Sequence, residues 1–193
     1  DEKYGGAGAD VLTSAVLLIV RQRVQVRVRE EITEGLRTSV VTFQSLQQQR
    51  EATLGRSAAL LATLPPLKAV MTSGDRATIQ DASKIFWELA GSQVFVLANR
   101  SGQVVALHTG TPGFTADAAQ DAIRRDLAAG DSRDWWFGGG HLFEVFLQPI
   151  YLGAPEANQP MGVLAVGYAI DDAVAADVGR VASSRVGFAY ERT

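Results

Sequence analysis

Apolar residues recur every three or four positions, with no proline, from about Val11 to Leu64, and that period predicts one long helix. Gly35 and Gly55 are the only glycines inside it. Each costs a helix interior about 1 kcal/mol, too little to force a break. Leu36, Val40, Phe43, Gln47, Arg50, Leu54, Ser57 and Leu61 alternate spacings of four and three and share one face, part apolar and part polar. Upstream, Val24, Val28, Ile32 and Leu36 form a second stripe. Two readings are open. A continuous helix is too long for one small domain to bury, so part packs on the domain and part on another helix, expected to be its own copy. Alternatively the helix breaks near Gly35 or Gly55 into a hairpin.

Pro65-Pro66 closes this segment, because proline removes a donor and restricts the residue before it. Leu67–Met71 is expected as a short helix. Ser73-Gly74-Asp75 is a turn in which Asp75 or Ser73 caps a helix over Arg76–Leu89, striped by Ile79, Ala82, Ile85, Phe86 and Leu89. The period then falls to two. Val94–Ala98 and Val104–Leu107 bracket Asn99-Arg100-Ser101-Gly102, which reads as strand, tight turn, strand. Thr109–Phe114 is a loop, and Thr115 caps a helix over Ala116–Ala129 that Gly130 ends. Asp134–Phe137 and His141–Leu152 are strands joined by Gly138-Gly139-Gly140. After the polar connection Gly153–Pro160, Met161–Ile170 is a strand whose Gly162 and Gly167 mark bulging or close backbone approach. Asp171 or Asp172 caps a last helix, Ala173–Ala182. Strands and helices do not alternate, which argues against a parallel doubly wound sheet. The prediction is an α+β protein: a long N-terminal helix and one five-stranded antiparallel sheet flanked by helices.

Both ends of the chain carry open readings. Asp1–Asp10 is small and polar, as a linker is. Val11–Val20 is nearly all apolar but as a helix spans only about 15 Å, half a bilayer. With Arg21, Arg23, Arg27 and Arg29 behind it, the run is either the end of a transmembrane helix or the buried start of a soluble one. At the other end SRVGFAYER, Ser184–Arg192, matches SQVFVLANR, Ser92–Arg100, at Ser, Val and Arg, 92 residues apart. The alternation of Val186, Phe188 and Tyr190 predicts a strand. It either starts a second similar module or completes the first sheet.

Composition narrows the chemistry. The 193 residues suffice for one domain plus a long helix, and 47% hydrophobic residues supply a real core. A formal net charge of −3 gives no reason to expect nucleic acid as a partner. With no cysteine there is no disulfide, thiolate metal site or Cys nucleophile, which fits a periplasmic chain and many cytoplasmic chains alike.

No catalytic constellation stands out, so no enzyme activity and no cofactor are expected. Only His108 and His141 are present, with no G-x-S-x-G elbow and no H-E-x-x-H pair. His141 and Glu144, three apart on a strand, face opposite sides and make poor metal geometry. Gly138–Gly140 joins strand to strand rather than to a helix N-terminus, so it is a turn and not a phosphate cradle. The best site candidate is Arg133-Asp134-Trp135-Trp136. The adjacent indoles point to opposite faces, one into the domain and one to its rim. An arginine beside an indole wall suits a small anionic ligand, with Asp171 near the rim. Other candidates on strands are Phe95, His108, His141, Phe143 and Tyr168. The alternative reading makes the indoles packing residues and Arg133 a solvated one. On the ligand reading, Arg133→Ala abolishes anion binding and leaves the ligand-free melting temperature nearly unchanged, as at most surface arginines.

The order of elements, from the long helix through the Val94–Leu107 hairpin to the Trp-rich hairpin and last apolar strand, resembles the Cache family. These are PAS-like extracytoplasmic sensor domains of bacterial transmembrane receptors. Arg133, Trp135 and Trp136 are similar to the R-x-W-[YW] part of the motif in its amino-acid-binding double modules. Asp171 in GYAIDD stands where that family grips a ligand amine. Asp126, Asp131 and Ser132 fill the region where the family carries a tyrosine. The resemblance implies a PAS-like sheet and a sensor module over 65–182, with the helical segment 11–64 before it and a strand in 183–193. It implies a small-molecule ligand, anionic or amino-acid-like, in an extracytoplasmic module of an inner-membrane protein. Ligand-dependent change would pass through the long helix to a membrane-anchored output domain, and a homodimer is expected. The rival functions are a ligand-free dimerisation or spacer module and, third, a small hydrolase using His141 with Glu144 or Asp171.

Overall fold

The computed structural model describes residues 6–153, 160–182 and 187. Helix α1, Gly6–Thr63, is continuous through Gly35 and Gly55, neither of which sits against another element. At 1.5 Å per residue it is about 87 Å long, so much of it extends past any small domain. After it come α2 (Pro65–Thr72), α3 (Arg76–Ala82), α4 (Lys84–Ala90), β1 (Val94–Asn99), β2 (Val104–Thr109) and α5 (Ala116–Ala129). Then follow β3 (Arg133–Gly138), β4 (His141–Tyr151), β5 (Pro160–Ala169) and α6 (Asp172–Ala182). The five strands form one antiparallel sheet in the order β2-β1-β5-β4-β3, the architecture that the apolar pattern predicts.

Local chemistry sets the boundaries. Asp75 accepts the Thr78 amide at 2.8 Å and starts α3, and Thr115 accepts the Ala118 amide at 3.2 Å and starts α5. Gly91 and Gly130 take left-handed φ of 62° and 77° and end α4 and α5. The helix expected over Arg76–Leu89 is in fact two. Ser83 is fully buried, and its hydroxyl is drawn to His108 Nε2 at 2.8 Å, so the chain bends there to seat α3 on β2. The apolar stripe runs through the bend and gives no sign of it.

Each face of the sheet has its own core. Phe95, Leu97, Phe146, Ile150, Leu164, Val166 and Tyr168 pack under α1–α4, against Leu54, Leu61, Leu67, Ile79 and Phe86. Val94, Val96, Phe143, Val145, Leu147 and Ala165 pack under α5, against Ala119, Ile123, Trp136 and Phe114. This is the two-sided alternation of a sandwiched sheet. Helix α6 packs along α1. Gly162 is required where β5 passes β1: a Cβ there would strike the Ala98 carbonyl and come within 2.6 Å of Met71 Cε. Pro149 is tolerated inside β4 because β3 ends before reaching it. The Leu147 amide bonds Ser132, so the position two further on would also point to that unpaired side.

The part of the α1 stripe that packs on the domain is its C-terminal half. Gln47, Arg50, Leu54 and Leu61 face the protein's own sheet, with Leu54 and Leu61 buried. The lower stripe is therefore occupied by this domain rather than by a second helix. Val40 is 54% exposed.

Candidate functional site

Alternation along β4 sends Phe143 and Val145 toward α5 and Glu144 between them toward α1. A carboxylate with 0% exposure must be compensated. The Tyr168 hydroxyl of β5 donates to Oε2, and Gln47 Nε2 of α1 donates to the same oxygen at 3.2 Å. Arg133 Nη2 of β3 lies 2.9 Å from Oε1, which accepts no hydrogen bond and is met by that guanidinium alone among the described residues. The same arginine reaches back to α1 through Nη1, 2.6 Å from Glu51 Oε1. Arg50, one turn along α1 from Gln47, sets its guanidinium carbon over the Tyr168 ring, 5.4 Å from the centroid. Burial, then the Glu144 carboxylate, push the Tyr168 phenol above its ordinary range, so it stays a donor. One connected polar cluster thus ties three strands to Gln47, Arg50 and Glu51, on two adjacent turns of the long helix.

Beside this cluster lies a groove of about 630 Å³. Its walls are Leu46, Gln49, Arg50, Thr53 and Leu54 of α1, Ala90, Gly91 and Gln93 where α4 leads into β1, and Tyr168, Ala169, Asp171 and Ala173 where β5 leads into α6. Of the residues expected at a site, Tyr168 and Asp171 line it. Asp171 Oδ1 accepts the Ala173 and Val174 amides, both at 3.1 Å, and so caps α6.

The other expected residues are placed apart from the groove. Trp136 is buried under α5, stacked on Phe114 at 6.5 Å, while Trp135 is 40% exposed, the in-and-out pair expected of adjacent strand residues. Phe143 meets Phe114 edge-on under α5. Phe95 is fully buried in the other core, tilted against His108. His108 stacks on Trp87 at 5.5 Å and bonds Ser83, and burial holds its pKa below the ordinary value. His141 Nδ1 lies 3.0 Å from the Gly139 carbonyl oxygen, in its own turn. His141 sits near Phe143 on the face opposite Glu144, so these two cannot act on one substrate. Among the described residues no group of three His, Asp or Glu is placed to hold a metal. Arg133 does not project into solvent as a bare surface arginine; its partner is a buried carboxylate. That changes what its loss should do.

A second buried acid was not among the expected site residues. Asp126, near the end of α5, is 1% exposed and accepts the Trp136 indole N–H at 2.7 Å. Arg125 joins it to Asp134 of β3. Burial, then the neighbouring Asp134 carboxyl, push Asp126 up to about 6. Burial opposes ionisation at Asp134 also, but hydrogen bonds from Asp126, the Trp135 amide and Arg125 leave it below its ordinary value.

The fold is found in known sensors. The periplasmic domain of Vibrio cholerae LuxQ superposes with a TM-score of 0.61 at 17% identity, over 77% of this chain and 71% of that one. The sensor domain of E. coli DcuS gives a TM-score of 0.44 at 17% identity, over 75% of this chain and 99% of that one. The sensory domain of the Campylobacter jejuni chemoreceptor Tlp3, with isoleucine bound, gives 0.47 at 14%, over 78% and 62%. No protein-family model and no curated protein matches the sequence. The likeness to LuxQ shows the fold: the PAS-like, α+β architecture that the order of elements resembles is the one observed.

Proposed function

We propose that this chain is an extracytoplasmic small-molecule sensing module of a bacterial signal-transduction receptor. A ligand-dependent change passes through α1 to a membrane-anchored output domain. One observation carries the reading: α1 itself forms a wall of the groove, and the Glu144 cluster beside it clamps the same turns of α1 to three strands. A molecule in the groove therefore touches the helix and its clamp at once. It biases the helix only through a difference in affinity between two arrangements. The LuxQ fold supports the reading. In it, Tyr168 and Asp171 touch ligand, and Arg133 acts one step behind them through Glu144. Sensing, not catalysis, is the role of the module. Among the described residues no helix is long and apolar enough to cross a membrane.

The spacer alternative rests on the α5 face, where Phe114, Trp136 and Phe143 fill the space with the protein's own rings. Thermal-shift screening with amino acids, carboxylates and amines separates the two. A ligand at a hundredfold excess over Kd adds about 2.7 kcal/mol, a shift of several degrees. A spacer gives a flat screen.

The proposed homodimer falls to the part of α1 carrying Val24, Val28 and Ile32, since the lower stripe is occupied by the sheet. Residues 1–193 are expected to sediment as a dimer at high micromolar concentration. A monomer there sinks this part of the proposal.

A further inference from the structure

We infer that the groove recognises a carboxylate, and that Arg50 is the residue that reads it; this rests on the sensing role proposed above. Among the described residues Arg50 is the only cation lining the groove. Its guanidinium lies over the Tyr168 ring, a contact that uses the flat face of the group. The N–H donors lie in the guanidinium plane, at its edge. A single 3.5 Å ion pair to Asp177 leaves enough of the five for a bidentate carboxylate.

Gln93 and Asp171 are consistent with an anion. The Gln93 carbonyl oxygen is held by the Ala169 amide, so its NH₂ is what remains to offer. Asp171, the one acid among the described lining residues, has its Oδ1 committed to two amides at the start of α6, where the helix dipole already balances its charge. An amine would have to compete for that oxygen, whereas an acid finds Arg50 and Gln93 as donors. Leu46 and Leu54 of α1 give an apolar wall for the hydrocarbon part of the molecule. Asp171, in the same lining, disfavours a second carboxylate by repulsion, so the expected ligand is a monocarboxylate.

The position of Arg50 also says how binding is felt. The guanidinium rests on Tyr168, Tyr168 holds Glu144, and Glu144 holds Gln47, one turn away on the same helix. A carboxylate that draws the guanidinium off the ring loosens one link of the clamp between α1 and the sheet.

The test uses residues 1–193 in thermal-shift and calorimetric titrations with butanoate, hexanoate and benzoate, against butylamine, hexylamine and hexanamide. The acids are expected to raise the melting temperature, and the amines and amide are not. Arg50→Gln should weaken acid binding at least tenfold, and Arg50→Lys, which keeps the charge without the fork, should weaken it less. Should Arg50→Gln fail to fold, Thr53→Phe fills the groove from the exposed side of α1 and should abolish the acid effect. Stabilisation by the amines or the amide but not by acids overturns the carboxylate assignment while the sensing role stands. Acid binding unchanged in both Arg50→Gln and Thr53→Phe places the site elsewhere and overturns the proposal. A flat screen with every compound, including the broader screen above, overturns both.

Discussion

Arg133→Met is expected to lower the melting temperature by about 5–10 °C, a loss on the order of 2–3 kcal/mol. Ordinary exposed arginines cost about 0.5 kcal/mol or less. The difference lies in what Arg133 faces. Glu144 has no exposure, and among the described residues Arg133 is the only group that meets its Oε1. Methionine fills similar volume and removes the countercharge, so the carboxylate stays buried with the Tyr168 and Gln47 hydrogen bonds on Oε2 but, among the described residues, nothing on Oε1. The arginine side chain is 42% exposed, so water reaches the gap, and the expected cost sits at the low end for a broken buried pair. Adding Glu144→Gln tests the cause. The amide oxygen can take the place of Oε2 and keep the bonds from Tyr168 and Gln47, and no charge is left behind. The double variant should therefore recover most of the lost stability. Chemical melts of the four proteins form a double-mutant cycle, and a coupling near zero refutes the pairing. The sequence alone led to the opposite expectation for Arg133, because nothing near it in the chain shows that a buried acid lies across the strand pair.

What the sequence disclosed and what it withheld divide along contact range. Strands over Val94–Ala98 and Met161–Ile170, the Thr115 cap and the Gly130 stop follow from local pattern and φ preference, and these are seen. So is the split of the two indoles, because strand alternation needs no tertiary knowledge. The helix break at Ser83 needed His108, 25 residues away, to explain it. The stripe from Leu36 to Leu61 announced a buried face without naming what buries it. A copy and the protein's own sheet ask for the same spacing, and the sheet takes the lower part. Within that stripe Gln47 and Arg50 were the usable signal: polar residues on an inward face imply polar partners inside. Their partners, Glu144 and Tyr168, lie 97 residues or more farther on, beyond the reach of any local rule. Asp126 gave no signal at all. An acid in a helix such as ADAAQDAIRRDLAA reads as solvated, and only the docking of α5 over β3 brings Trp136 and Asp134 to it.

That docking makes stability respond to pH in an unusual direction. Asp126 has a folded value of about 6 against an ordinary 3.8. Between those values the folded state binds a proton that the unfolded chain does not, so stability rises as pH falls through about 6. The gain is complete below 3.8 and absent above about 6. Asp134, held below its ordinary value, contributes stability above that value and loses it as pH falls further. Together the pair should give a melting temperature that climbs from pH 7.5 toward pH 5 and drops again under stronger acid. His108 works against the climb, because burial lowers its pKa and an unfolded imidazole takes up its proton first. The comparison that isolates Asp126 is therefore wild type against Asp126→Asn. Asparagine keeps an oxygen for the Trp136 indole N–H but cannot titrate. At pH 7.5 the variant should be more stable by on the order of 1–2 kcal/mol, and by pH 4.5 most of that advantage should be gone. Parallel melting curves for the two proteins from pH 7.5 to 4.5 would show that Asp126 carries no proton linkage. A variant less stable at pH 7.5 would mean that the attraction of Arg125 outweighs the burial of the charge.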